Sequence, residues 1–274
     1  MAAERLRLSA PPLTWMGGKL PTHNPGGRLF GRPHVIDNLQ GPAREHTTPG
    51  RIRVPWTVKD ALAGVALVAG ATLFIIALVV LARGVGGLER DPLLATLAFA
   101  ILPGIMVLAV WLFGIRKYRS SWRTLGFVPS RTRMSLLLPW LALLSSLAFG
   151  GLYVAIVTAA QIDFLLPPAL PQGVLGEGLH RIVNVVIIAL VGPLAEEVFF
   201  RGFLLAALVQ PLGASRAAAL ASAIFAANHG SPGVMVPVFV SGLLLSWLYL
   251  KTRSIWPPFI AHAAQNLIVL SLAA

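Results

Sequence analysis

Hydrophobic runs alternate with short polar breaks along most of this chain, and the runs are too long and too uniform for an ordinary soluble core. Seven apolar segments stand out, at about 61–82, 93–115, 134–160, 181–206, 216–230, 234–250 and 255–273. A bilayer-crossing helix needs about 20 apolar residues, so six of these are long enough or nearly so. The fifth is short and is followed directly by Pro232 and Gly233. The pattern predicts an all-α, polytopic transmembrane bundle of about seven spans.

The first 55 residues break that pattern. Pro11, Pro12, Pro21, Pro25, Gly17, Gly18, Gly26 and Gly27 are among many breakers that leave no hydrophobic period. A disordered, basic, cytoplasmic tail is expected there, without the early apolar core of a secretory signal. The expected organisation is therefore a tail at 1–55, N-terminal membrane helices at 56–120, and a helical core at 121–274.

Composition sharpens this picture. The chain is 56% hydrophobic and only 12% charged, against about 25% charged in a soluble domain. It has no cysteine, which excludes disulfides, thiolate catalysis and Cys-bound zinc. The formal charge of +12 points to no nucleic-acid partner, because the basic residues flank apolar segments as the positive-inside rule requires. The loop carrying Arg116, Lys117, Arg119, Arg123, Arg131 and Arg133 is expected in the cytoplasm, and the N-terminus with it. Asp163 and Glu177 then fall outside, and Arg216, Lys251 and Arg253 return inside. An integral protein of a bacterial inner membrane fits these features.

Several polar residues interrupt the membrane segments. Glu196, Glu197 and Arg201 lie within "LVGPLAEEVFFRGFLLAALV", His229 ends "FAANH", and His262 and Asn266 lie in "HAAQN". Each charge costs about 2.5–3.5 kcal/mol or more at the bilayer centre. At 1.5 Å rise per residue, His262, Glu196 and His229 lie about 11, 15 and 20 Å from the cytoplasmic edge, so three helices bring polar groups to overlapping depths. Glu197 and Arg201 are four apart and share a face, as a structural ion pair would. Glu196 is turned about 100° from Glu197 and has no partner on its own helix.

An unpaired carboxylate in a low-dielectric site suits a general base. His229 is placed to share or orient its proton. His262 and Asn266, also four apart, are placed to donate hydrogen bonds to an oxyanion. Alone, His229 or Asn266 would be read as a hydrogen bond between helices, and it is their convergence that indicates a site. Elsewhere, the small residues Ala218, Ser222 and Ala226 predict close helix packing. Trp247, Tyr249 and Trp256 predict an aromatic belt at the inner interface.

"EEVFFR" at 196–201, "FAANH" at 225–229 and "HAAQN" at 262–266, in that order on successive helices, resemble the CPBP intramembrane proteases. That family includes CAAX prenyl proteases of the Rce1 type and bacterial Abi or bacteriocin self-immunity proteins. "WRTLGFVP" at 122–129 is similar to the segment that precedes the family's core helices. The motif positions show no departure. The resemblance implies an intramembrane endopeptidase acting on a membrane-associated or prenylated peptide. Glu196 would activate water, His229 would assist, His262 and Asn266 would stabilise the oxyanion, and Glu197 and Arg201 would support the site.

The family is often described as metalloprotease, and a zinc reading would place the ion on Glu196, His229 and His262. The chain lacks an HExxH arrangement, and the metal-free glutamate mechanism assigns every residue with less rearrangement. No cofactor is therefore preferred. Two other classes use the same buried cluster: a proton-coupled transporter, with Glu196 and the histidines as a relay, and a non-catalytic immunity scaffold.

Overall fold

A computed structural model describes residues 52–84, 92–130, 133–168 and 175–273. The tail expected over 1–55 lies, up to residue 51, outside the described residues. Seven helices follow in the order predicted: α1 (Val58–Gly84), α2 (Pro92–Val110), α3 (Leu138–Ala159), α4 (Gly178–Leu212), α5 (Ala214–Ala227), α6 (Pro232–Thr252) and α7 (Trp256–Ala273). No strand occurs among the described residues. Among the described residues, five helices are long and apolar enough to cross a membrane: α1, α2 with its extension to Arg116, α3, α4 and α6. α5 is short, and α7 carries His262, Gln265 and Asn266, which lower its hydropathy.

Helix ends follow the local sequence. α1 opens on a capping box, in which the Thr57 backbone N–H donates to Asp60 Oδ2 at 2.9 Å and the Asp60 N–H reaches Thr57 Oγ1 at 3.3 Å. Pro139, Pro232 and Pro257 each sit in a first helical turn, where the missing N–H costs nothing. α4 is not one regular helix. Its α-helical pieces alternate with π-helical runs at Ile187–Val191 and Glu197–Leu205. The first run ends just before Gly192-Pro193, where the proline ring and missing N–H disrupt an α ladder. Such π segments are frequent at functional sites.

The core gathers around the second π run. Phe199, Phe200, Phe203, Leu204 and Leu205 are all buried there. Glycines on neighbouring segments let it approach them closely: a Cβ on Gly64 would stand 2.9 Å from the Phe203 ring, and one on Gly114 would stand 3.2 Å from it. The segment before α1 is tied to the same place, since Trp56 Nε1 donates to the Phe203 carbonyl at 3.0 Å.

The 122–129 segment packs on the other side. Gly202 lies so near it that a Cβ would come 2.8 Å from the Leu125 carbonyl oxygen. Ile255 N–H donates to the Gly126 carbonyl at 2.9 Å, and Ser254 Oγ donates to the Val128 carbonyl at 2.6 Å. Tyr249 differs from its expected place in an interfacial belt. It is buried, and its hydroxyl donates to the Leu125 carbonyl at 3.2 Å. Trp247 and Trp256 are exposed, as a belt requires.

α5 and α6 pack through the predicted stripe of small residues. Ala218, Ser222 and Ala226 are buried, and a Cβ on Gly242 would stand 3.0 Å from that of Ser222. The Ser222 and Ser246 hydroxyls meet at 3.4 Å. Gln265 joins three helices by accepting at Oε1 from Ser146 at 2.9 Å and from Ser241 at 3.2 Å. Close approach and shared hydrogen bonds are what hold helices together in lipid.

Candidate active site

The site lies where α4 meets α7. Glu197 is fully buried and Arg201 is 1% exposed. Arg201 Nη1 donates to Glu197 Oε1 at 2.9 Å, as the four-residue spacing predicts. The guanidinium also reaches the Gly242 carbonyl at 3.4 Å and lies over the Phe225 ring, 4.5 Å from its centroid. A planar, delocalised cation tolerates such a position better than an ammonium would.

Glu197 is not confined to its arginine. Its Oε1 also lies 2.8 Å from His262 Nδ1. A carboxylate already paired with a guanidinium is an acceptor, so Nδ1 carries the proton. That fixes the imidazole's tautomer and orientation, as a carboxylate behind a catalytic or metal-binding histidine does. The other ring nitrogen, Nε2, is turned toward Glu196 Oε2 at 3.5 Å.

Glu196 itself is 22% exposed on its side chain, in contrast to the sealed Glu197. The two adjacent acids thus occupy different environments. One is locked behind the histidine, and the other is accessible in front of it. Glu197 Oε2 and Arg201 Nε are buried without a hydrogen-bond partner among the described residues.

The other two predicted residues lie at the margins. His229 follows the C-terminus of α5 in a turn and is exposed, whereas a buried position inside the bundle was expected. Its Nδ1 lies 2.9 Å from the Phe225 carbonyl, an acceptor, so the proton sits on Nδ1 and Nε2 is left as the basic nitrogen. No hydrogen bond or ion pair joins His229 to Glu196 among the described residues. Asn266 shares the α4-facing side of α7 with His262, but its Nδ2 donates to the Ile188 carbonyl at 2.9 Å. That carbonyl lies in the first π run.

Phe225 links these groups, although its apolar side chain gave no signal in the sequence beyond its place in "FAANH". Its ring meets His229 edge-on at 4.9 Å, His262 at 5.8 Å and Phe200 at 5.0 Å between centroids. Arg201 covers it as well. Both histidines therefore take their position partly from one buried aromatic ring.

The same geometry bears on zinc. His262 Nδ1 faces Glu197 and His229 Nδ1 a carbonyl, which leaves the Nε2 atom of each ring available as a ligand. Among the described residues, no three His, Asp or Glu side chains approach closely enough to hold one ion. Glu196, His229 and His262 do not converge into a three-ligand cluster in this arrangement.

Fold and site define a class: a polytopic helical membrane protein in which two carboxylates and His262 meet inside the bundle, with His229 at its margin. Residues 178–268 match the family model described as "Type II CAAX prenyl endopeptidase Rce1-like". The chain is also 29% identical over 85 residues to "Putative membrane peptidase YdiL" of Bacillus subtilis (strain 168). That stretch covers 31% of this chain and 35% of the relative, so the chain spans about a third of the curated relative it matches. No solved structure matches. The segment that carries the site is thus similar to the Rce1-like endopeptidases of the CPBP family.

Proposed function

We propose that this chain is an intramembrane endopeptidase that uses Glu196 to activate water. The observation that carries the proposal is the Glu197–His262–Glu196 series. A sealed, arginine-paired carboxylate holds Nδ1 of His262, and Nε2 faces an accessible second carboxylate at 3.5 Å. Water beside Glu196 and His262 Nε2 would lose a proton to Glu196 as its oxygen attacks the peptide carbonyl carbon. The carbonyl π electrons move to oxygen, and hydrogen bonds from the second Asn266 N–H and from His262 Nε2, which has taken a proton from solvent before the step, stabilise the tetrahedral oxyanion. Collapse of that intermediate breaks the C–N bond, and the amine leaves with the proton held by Glu196. His229 Nε2, basic and exposed, assists proton movement at the mouth of the site.

The substrate proposed is a membrane-associated or prenylated peptide, in keeping with the family description of residues 178–268. The basic clusters support a cytoplasmic N-terminus in a bacterial inner membrane. Purified protein in detergent should cleave at least one member of a panel of lipidated and transmembrane-derived fluorogenic peptides, with or without a strong chelator. Loss on chelation, with recovery on adding zinc, would overturn the metal-free mechanism. Activity that requires a proton gradient would favour a relay instead.

A further inference from the structure

A second polar cluster lies away from the site, where α1 begins and the extension of α2 ends. A cavity of about 630 Å³ opens there between Lys59 and Asp60 on one side and Leu112, Phe113, Arg116 and Lys117 on the other. Asp60 is 4% exposed, and both of its oxygens are already used. Lys117 Nζ holds Oδ1, while the Thr57 N–H, the Thr57 hydroxyl and the Tyr118 hydroxyl hold Oδ2 at 2.9, 2.7 and 2.6 Å. The capping box therefore has a second consequence: it fixes a lysine at the cavity wall. The hydrogen bond that Lys117 donates to Asp60 keeps the Lys117 pKa above the ordinary lysine value.

The charge balance is uneven. Lys59, Arg116 and Lys117 contribute three positive charges and Asp60 one negative, leaving two. Lys59 makes no hydrogen bond or ion pair among the described residues. Arg116 lies over the Trp111 ring at 5.5 Å. The two membrane-length segments run Val58–Leu81 and Phe99–Arg116, so Lys59 and Arg116 stand at their ends, where the headgroups of a spanned bilayer would lie. Leu112 and Phe113 lie about one turn deeper, where hydrocarbon begins.

We propose that this cavity binds an anionic phospholipid. Lys59, Arg116 and Lys117 would hold the phosphate and headgroup, and the start of an acyl chain would lie against Leu112 and Phe113. Two unbalanced cations favour a net-negative headgroup over a zwitterionic one. The apolar half of the lining favours a lipid over a soluble anion, which would leave Leu112 and Phe113 uncovered.

The test uses the full chain in detergent, titrated with phosphatidylglycerol or phosphatidylcholine, with bound lipid counted by native mass spectrometry. Two variants are compared, Lys59→Gln/Arg116→Gln and Arg216→Gln/Lys251→Gln. Each removes two exposed positive charges, and melting temperature verifies the fold of both. The wild type should prefer phosphatidylglycerol, the first variant should bind it about 10- to 30-fold more weakly, and the second should bind as wild type. Equal weakening in both variants, no preference between the lipids, or displacement by inorganic phosphate at concentrations equal to the lipid's would overturn the proposal.

Discussion

Replacing Glu197 by Gln keeps the shape of the side chain and removes its charge. In the wild type, Oε1 of this fully buried carboxylate serves both Arg201 at 2.9 Å and His262 at 2.8 Å. The amide retains one acceptor oxygen but leaves the guanidinium, 1% exposed, without its paired carboxylate. Breaking a buried pair from one side typically costs about 3–5 kcal/mol, and for a domain of this size that lowers the melting temperature by roughly 10 °C. Removing both charges in Glu197→Gln/Arg201→Met should restore much of that loss, because no uncompensated ion remains. A thermal melt of the four proteins in one detergent closes the double-mutant cycle. Strictly additive effects, or a single variant within about 1 kcal/mol of wild type, would refute a tightly coupled buried pair. Cleavage should stay low in the double variant even as stability returns, because His262 has still lost the carboxylate that orients it.

Further outcomes follow from other contacts. His229→Ala should leave the melting temperature nearly unchanged, because the side chain is exposed, while cleavage falls about 10²-fold or more; a fully active variant would remove His229 from the mechanism. Trp56→Phe deletes the donor to the buried Phe203 carbonyl and should cost about 1–3 kcal/mol in the same melt, although Trp56 lies outside residues 178–268. Gly202→Ala brings a Cβ 2.8 Å from the Leu125 carbonyl oxygen and 3.2 Å from its Cβ. It should destabilise by about 1–3 kcal/mol and expose the 122–129 segment to limited proteolysis.

Much of the fold was legible because lipid imposes simple rules. Long apolar runs become helices and small residues mark tight crossings; all seven segments and the Ala218–Ser222–Ala226 contact follow from these, whereas Pro103, Pro211 and Pro237 lie inside helices. Spacing along one helix was equally informative, and it gave the Glu197–Arg201 pair. What one helix cannot show is which neighbour meets it. Glu197 therefore read as saturated by Arg201, although His262 arrives from 65 residues further on. The π-helical runs in α4 have no compositional mark beyond Pro193, and they alter the angular bookkeeping on which the separation of Glu196 from Glu197 rested.

His229 was placed within an apolar helix, whereas α5 ends at Ala227 and the residue turns outward before Gly230, whose φ is +71°. Tyr249 shows the reverse error. Interfacial position suggested exposure, but the Leu125 carbonyl offers its hydroxyl a partner that is visible only once the 122–129 segment is folded against α4 and α6.

The most direct measurement compares kcat for peptide cleavage by wild type and Glu196→Gln in the same detergent, with equal melting temperatures as the control for folding. Glu196 as the base requires measurable wild-type cleavage and a rate lowered about 10²–10⁴-fold in the variant. A Glu196→Gln protein that cleaves at the wild-type rate would contradict it.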